Sequence, residues 1–170
     1  GAAHSYYVVG GSLTDQTTGT AIGPGFSGIF STTQNDTIAV ATSDTGSYWL
    51  GGGLGAATLI GGGGNTVFFI NADTVVRGGA GFNIAQITGG HPVNIDLLSD
   101  NLQEVIGGDG GGVFNASGAN WNVFIQGGAG NNIIIGGSAN AALSGGTGDD
   151  LIEAGTGGSV IHAGSGNDVI

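Results

Sequence analysis

From Gly127 to the end, the chain repeats itself every nine residues, and few folds can accommodate such a repeat. The frames read GGAGNNIII (127–135), GGSANAALS (136–144), GGTGDDLIE (145–153), AGTGGSVIH (154–162) and AGSGNDVI (163–170). A glycine or alanine opens each frame, and the eighth place is always aliphatic: Ile134, Leu143, Ile152, Ile161 and Ile170. Glycine adopts backbone angles that other residues avoid, so the first six places read as a turn. The last three read as a short strand whose middle side chain alone points inward, because neighbours alternate between faces. One inward residue per strand makes no core until many frames stack. The expected fold is all-β: a parallel β-roll or β-solenoid of nonapeptide repeats, two repeats per coil, with a strand on each side.

The period continues upstream with small slips. Frames fall at 43–51, 52–60, 61–69, 70–77, 78–86, 89–97, 98–106, 107–115 and 118–126. Their eighth places are Leu50, Leu59, Phe68, Val76, Ala85, Asp96, Val105, Phe114 and Ile125. Asp96 breaks the apolar row, and a one-residue slip puts Ile95 or Leu97 there instead. Three regions are therefore expected: strong repeats over 127–170 that continue past the C-terminal end, degenerate repeats over 43–126, and a divergent Ser/Thr/Gly-rich start over 1–42, or the edge of a preceding domain. In the last, Tyr6–Val9 and Thr37–Val40 read as strands and the Gly-Pro-Gly at 23–25 as a turn. Asp96 to Ile106 is the one stretch with room for a helical turn or two. The chain opens on Gly1 and stops at an eighth place, which predicts a longer parent.

Composition narrows the function. Forty glycines with only two prolines and no three-residue period exclude a collagen helix. Arg77 is the only basic residue against twelve acids, a net charge of −11. Nucleic acid and anionic membrane surfaces are then poor partners, because phosphate binding needs cationic side chains. Bound cations would relieve the self-repulsion. Cysteine is absent, so a secreted fold of this size needs a staple other than disulfides, and metal is one. No apolar run reaches a membrane span.

The frame at 145–153 fits G-G-x-G-x-D-x-U-x at every fixed place, where U is a large apolar residue. In this the chain resembles the RTX proteins, whose glycine-rich nonapeptides form calcium-binding β-rolls; the resemblance is strong over 127–170 and degenerate over 43–126. Calcium takes six to eight oxygens from carboxylates, carbonyls and water, so the sixth place is diagnostic. Residues eighteen apart share an edge, which stacks Asn132, Asp150 and Asp168 on one edge and Ala141 and Ser159 on the other. The resemblance implies calcium between turns one coil apart, held by the Asp carboxylates and by carbonyls of the first and third places. Carried onto this chain, it implicates Gly145, Thr147 and Asp150 with Ala163, Ser165 and Asp168. A weaker site would join Gly127, Ala129 and Asn132 to the 145 turn. Upstream the sixth places are Tyr48, Ala57, Thr66, Asn83, Asn94, Gln103, Gly112 and Val123; none is Asp, so calcium is expected at few sites. Without metal, Asn131, Asn132 and Asn167 would form amide ladders between coils.

His4, His91 and His162 are scattered, and no catalytic motif occurs. His162 and Glu153, at ninth places, read as solvated. Trp49 and Trp121 read as packing residues at irregular coils rather than exposed anchors. The seventh place should face solvent yet is often apolar, as at Phe124, Ile133, Leu151, Val160 and Val169. That predicts self-association through the sheet face or the coil ends. The resemblance implies a non-catalytic, extracellular structural segment of a large secreted bacterial protein of adhesin, surface-layer or matrix type, exported by type I secretion. The alternatives are the C-terminal secretion and folding module of an RTX protease, lipase or polysaccharide-modifying enzyme, and a self-assembling filament subunit.

Overall fold

The computed structural model describes residues 3–18, 20–25, 27–31 and 35–170. Every regular element among them is a strand. No helix is long and apolar enough to cross a membrane. The chain divides into two compact units, Gly1–Asn83 and Ile84–Ile170.

In the first unit, β1 (Ser5–Val9), β2 (Ser12–Asp15) and β3 (Thr20–Pro24) form an antiparallel meander. β1 then pairs in parallel with β5 (Thr37–Val40), which is followed in the same sheet by β7 (Thr58–Ile60) and β9 (Val75–Arg77). A second parallel sheet carries β4 (Gly28–Phe30), β6 (Tyr48–Gly51) and β8 (Thr66–Ile70). Alternation between the sheets is the mark of a solenoid: Tyr48 pairs with Thr66, eighteen residues on, one coil later. The expected turn at 23–25 is corrected. Gly23 and Pro24 complete β3, after a bulge between Leu13 and Thr14, and only Gly25 leaves the strand. Proline, lacking a donor, is tolerated there because β3 is an edge strand.

Asp44 ties this meander to the coils. Its Oδ2 accepts from the Tyr48 hydroxyl (2.8 Å) and the Gly11 amide (3.1 Å), and its Oδ1 accepts from the Gly46 amide (3.0 Å). Burial pushes the carboxyl upward, but these hydrogen bonds, led by the Gly46 amide, reverse that and leave it below its ordinary value. Burial and then Asp44 push the Tyr48 phenol up to about 12. A depressed carboxyl stabilises the fold above its unfolded value and loses that as pH falls; a raised phenol stabilises it up to about pH 10 and loses that on further rise. Tyr48→Phe is therefore expected to cost about 2 kcal/mol at neutral pH and to flatten the alkaline limb of the melting temperature measured against pH.

The second unit is more regular. One sheet holds β10 (Asn83–Ile87), β12 (Glu104–Ile106), β14 (Val123–Gln126), β16 (Ala141–Thr147) and β18 (Ser159–Ser165), all parallel. The other holds β11 (Val93–Asp96), β13 (Gly112–Asn115), β15 (Asn132–Ile135) and β17 (Leu151–Glu153). Ala141 pairs with Ser159 and Ile133 with Leu151, eighteen residues apart. Upstream, Glu104 pairs with Phe124 at twenty, which accommodates the slips in the period. Between Asp96 and Leu102 the chain makes overlapping turns rather than a helix, the Asp100, Asn101 and Leu102 amides donating to the Asp96 (3.0 Å), Leu98 (3.3 Å) and Leu97 (3.0 Å) carbonyls.

The eighth-place row is the core. Leu50, Leu59, Phe68, Val76, Ala85, Val105, Phe114, Ile125, Ile134, Leu143 and Ile152 are all buried. Asp96 is exposed, and both Ile95 and Leu97 are buried, as the slip requires. On the last coil Ile161 is half-buried and Ile170 exposed. One expectation needs correction: the inward residue is not alone. Several strands, β6, β8, β10, β14, β15 and β16 among them, begin at the sixth place, and Tyr48, Ala57, Thr66, Asn83, Val123, Asn132, Ala141 and Asp150 are buried there as well. A two-residue side-chain period puts places six and eight on the same face. Seventh places face outward: Trp49, Phe124, Ile133, Leu151, Val160 and Val169 are all exposed. Trp49 thus departs from the packing role expected of it, whereas Trp121 keeps it, its indole N–H donating to the Leu102 carbonyl at 3.1 Å. His162 and Glu153 are exposed, as their ninth places imply.

Candidate metal centre

The site begins with glycine. In the frames opening at 127, 145 and 163, the second and fourth places are Gly128 and Gly130, Gly146 and Gly148, Gly164 and Gly166, all at positive φ. On the opposite edge, among the second and fourth places of the frames at 136 and 154, only Gly155 shares this. The positive-φ turns bring successive coils into very close approach: a Cβ on Gly164 would strike the Gly146 carbonyl. Coils approach as closely on the opposite edge, where a Cβ on Gly157 would strike the Ala139 carbonyl, so the carboxylates and the repeated positive-φ glycines, rather than the crowding, set the first edge apart.

Two side-chain ladders run along this edge in opposite directions. At the fifth place, Asn131 Oδ1 accepts from the Asp149 amide (3.0 Å), and Asp149 Oδ1 accepts from the Asn167 amide (2.8 Å), each reaching one coil onward. At the sixth place the reach is backward: Asp150 Oδ1 accepts from the Asn132 amide (2.8 Å), and Asp168 Oδ1 from the Asp150 amide (3.0 Å). Each ladder satisfies backbone donors that the turn would otherwise leave without partners. The fifth-place device recurs in the first unit, where Asn65 Oδ1 accepts from the Phe82 amide at 2.8 Å.

The sixth place carries an imbalance. Thr66 Oγ1, Asn132 Oδ1, Asp150 Oδ2 and Ser159 Oγ are buried without a hydrogen-bond partner, and all stand there. Asp150 is the most demanding, because it is 2 % exposed and brings a carboxylate. Its Oδ2 lies against the α-carbon of Gly145, where a Cβ would strike both Asp150 Oδ2 and the Ala163 carbonyl of the following coil. Two oxygens thus converge beside the Gly145 α-carbon, and Asp150 Oδ2 has no hydrogen-bond donor. An unpartnered buried carboxylate oxygen costs several kcal/mol (order of magnitude) unless a positive group meets it. A hard divalent cation that prefers oxygen ligands fits this donor set.

The structure brings most of the predicted residues together. Asn132, Asp150 and Asp168 stack on one edge through the sixth-place ladder, and Ala141 and Ser159 pair on the other. Thr147 pairs with Ser165 across the same two coils, with the Ser165 carbonyl accepting from the Gly148 amide at 2.9 Å. The Gly145 carbonyl accepts from Asn132 Nδ2 at 3.2 Å. Among the described residues no three His, Cys, Asp or Glu side chains gather as a metal group; oxygens at this edge come largely from the backbone. Sequence reasoning missed Asp149 and Asp44. Asp149 had a signal available, since it shares the fifth place with Asn131 and Asn167. Asp44 had none, because its partners Gly11 and Tyr48 come from different elements.

Comparison with known proteins agrees with this geometry. The family model for the RTX calcium-binding nonapeptide repeat matches residues 122–140 and 144–170, in four copies. No curated protein and no solved structure gives a match.

Proposed function

The C-terminal coils belong to the RTX calcium-binding nonapeptide repeats, and on that premise we propose that this chain is an extracellular structural β-solenoid, stabilised by calcium between its last coils. The observation that carries the reading is the convergence of Asp150 Oδ2 and the Ala163 carbonyl beside Gly145. The ligands would be the Asp150 and Asp168 carboxylates with backbone oxygens of Gly145, Thr147, Ala163 and Ser165. Metal that binds only the folded chain stabilises it by mass action, by about 2.7 kcal/mol at a hundredfold excess over Kd. A chain of this kind would leave the cell unfolded, by type I secretion, and fold where calcium is plentiful. Its parent would be a surface-layer, matrix or adhesin protein. An enzyme carrying these coils as a secretion and folding module is the alternative parent.

The test is a calcium titration followed by circular dichroism and thermal melting. Calcium is expected to raise the melting temperature of the wild-type chain, and Asp150→Ala and Asp168→Ala to abolish most of that rise. Strand signal and melting temperature both indifferent to chelator would overturn the reading.

Self-association is a second reading, favoured by one observation. Val113, Ile133, Leu151 and Val169 follow one another in register across β13, β15, β17 and the last residues, forming an outward apolar stripe. Sedimentation at rising concentration, with Leu151→Lys as control, tests it; a monomer throughout would end it.

A further inference from the structure

The turns opening at 127 and 145 share a glycine backbone plan, and their first-place cradles differ in the side-chain atom they receive. In the 145 turn, the cradle beside Gly145 receives two oxygens, Asp150 Oδ2 and the Ala163 carbonyl. In the 127 turn, the equivalent cradle beside Gly127 receives the Gly145 carbonyl and, in place of the carboxylate oxygen, Asn132 Nδ2. Its two hydrogens are shared among three acceptors, the Gly130 carbonyl (2.9 Å), Asp150 Oδ1 (2.9 Å) and the longer Gly145 carbonyl (3.2 Å). A neutral N–H donor group thus faces two carbonyls and a carboxylate contributed by both coils. The reverse amide orientation would set Oδ1 against the same three oxygens, so the hydrogen bonds fix the assignment. Asn132 is 1 % exposed. Asn83 repeats part of the device, its Nδ2 donating to Gly79 (3.0 Å) and Gly81 (2.9 Å) in its own turn.

We propose that the Asn132 side-chain amide takes the place of a cation between the coils at 127 and 145, so that metal dependence begins one coil later. This rests on the calcium reading of the 145 and 163 turns but makes a separate claim about Asn132. The 127 turn then holds the 145 turn in register without metal, and the calcium-dependent pair is assembled on that pre-formed edge. Asn132 is a positioning residue here, and its identity sets how many ions the edge accepts.

The experiment counts ions. Wild type, Asn132→Asp, Asp168→Asn and the double variant Asn132→Asp/Asp168→Asn are titrated with calcium by calorimetry, and bound ions are counted by native mass spectrometry. Asn132→Asp sets a second carboxylate against Asp150 and the Gly145 carbonyl. It is expected to bind one calcium more than wild type and, in chelator, to melt at least about 5 °C lower, with calcium restoring the loss. A variant that folds only with calcium also supports the proposal, since ions are counted in its presence. If wild type binds calcium and Asn132→Asp binds no more, the role of Asn132 falls while the calcium reading stands. If wild type binds none and Asn132→Asp binds one, the 145/163 site falls and the role of Asn132 stands. If neither binds, both fall.

Discussion

Gly146→Ala is expected to destabilise the second unit by about 4 kcal/mol in urea unfolding. Two costs add. The residue stands at φ 109°, a region that L side chains rarely enter, at a cost on the order of 1–3 kcal/mol. Its new methyl would also lie on the Gly128 carbonyl of the preceding coil, and overpacking costs a further ~1–3 kcal/mol. Gly90→Ala is the control: φ there is not positive and no atom lies within 4 Å of the added carbon. It should be neutral or slightly stabilising, by about 0.4–1 kcal/mol, through the unfolded chain. Equal effects at the two positions would mean that glycine density, rather than glycine placement, governs this fold.

Phe114→Ala should cost about 3–5 kcal/mol, the range for removing a fully buried aromatic ring from a core that collapses only in part. Phe114 has no exposed surface, and its strand neighbours in register are Ile95 and Ile134, both buried. The core of a solenoid is narrow, so a hole in it has few side chains able to close in. Phe124→Ala, a seventh-place residue that is 44 % exposed, should cost less than about 1.5 kcal/mol. The pair distinguishes the eighth-place row from the seventh by measurement, and a Phe124 cost matching that of Phe114 would show that the outward face is also packed.

The period made the architecture legible. Parallel strands at eighteen residues, two sheets and the eighth-place core all follow from a nine-residue repeat, because glycine turns of fixed length leave only one way to stack apolar residues. The slip at Asp96 was legible too, since a polar residue in an otherwise apolar row has apolar neighbours ready to replace it. The inward face at the sixth place was not. That place lies where turn becomes strand, and whether its side chain faces in or out depends on where the ladder starts, a matter of backbone pairing rather than residue type.

The edge follows the same division. The nine-residue period alone aligns Asn132, Asp150 and Asp168, eighteen residues apart, on one side of the roll. What their atoms meet emerges only once the coils stack: an amide hydrogen bonded to the Gly145 carbonyl in one turn, and a carboxylate oxygen set against the Ala163 carbonyl in the next. Spacing places residues on a shared edge. Hydrogen-bond complementarity is decided at close range, between single atoms of neighbouring coils, and there an NH2 and an oxygen of nearly the same size have opposite consequences.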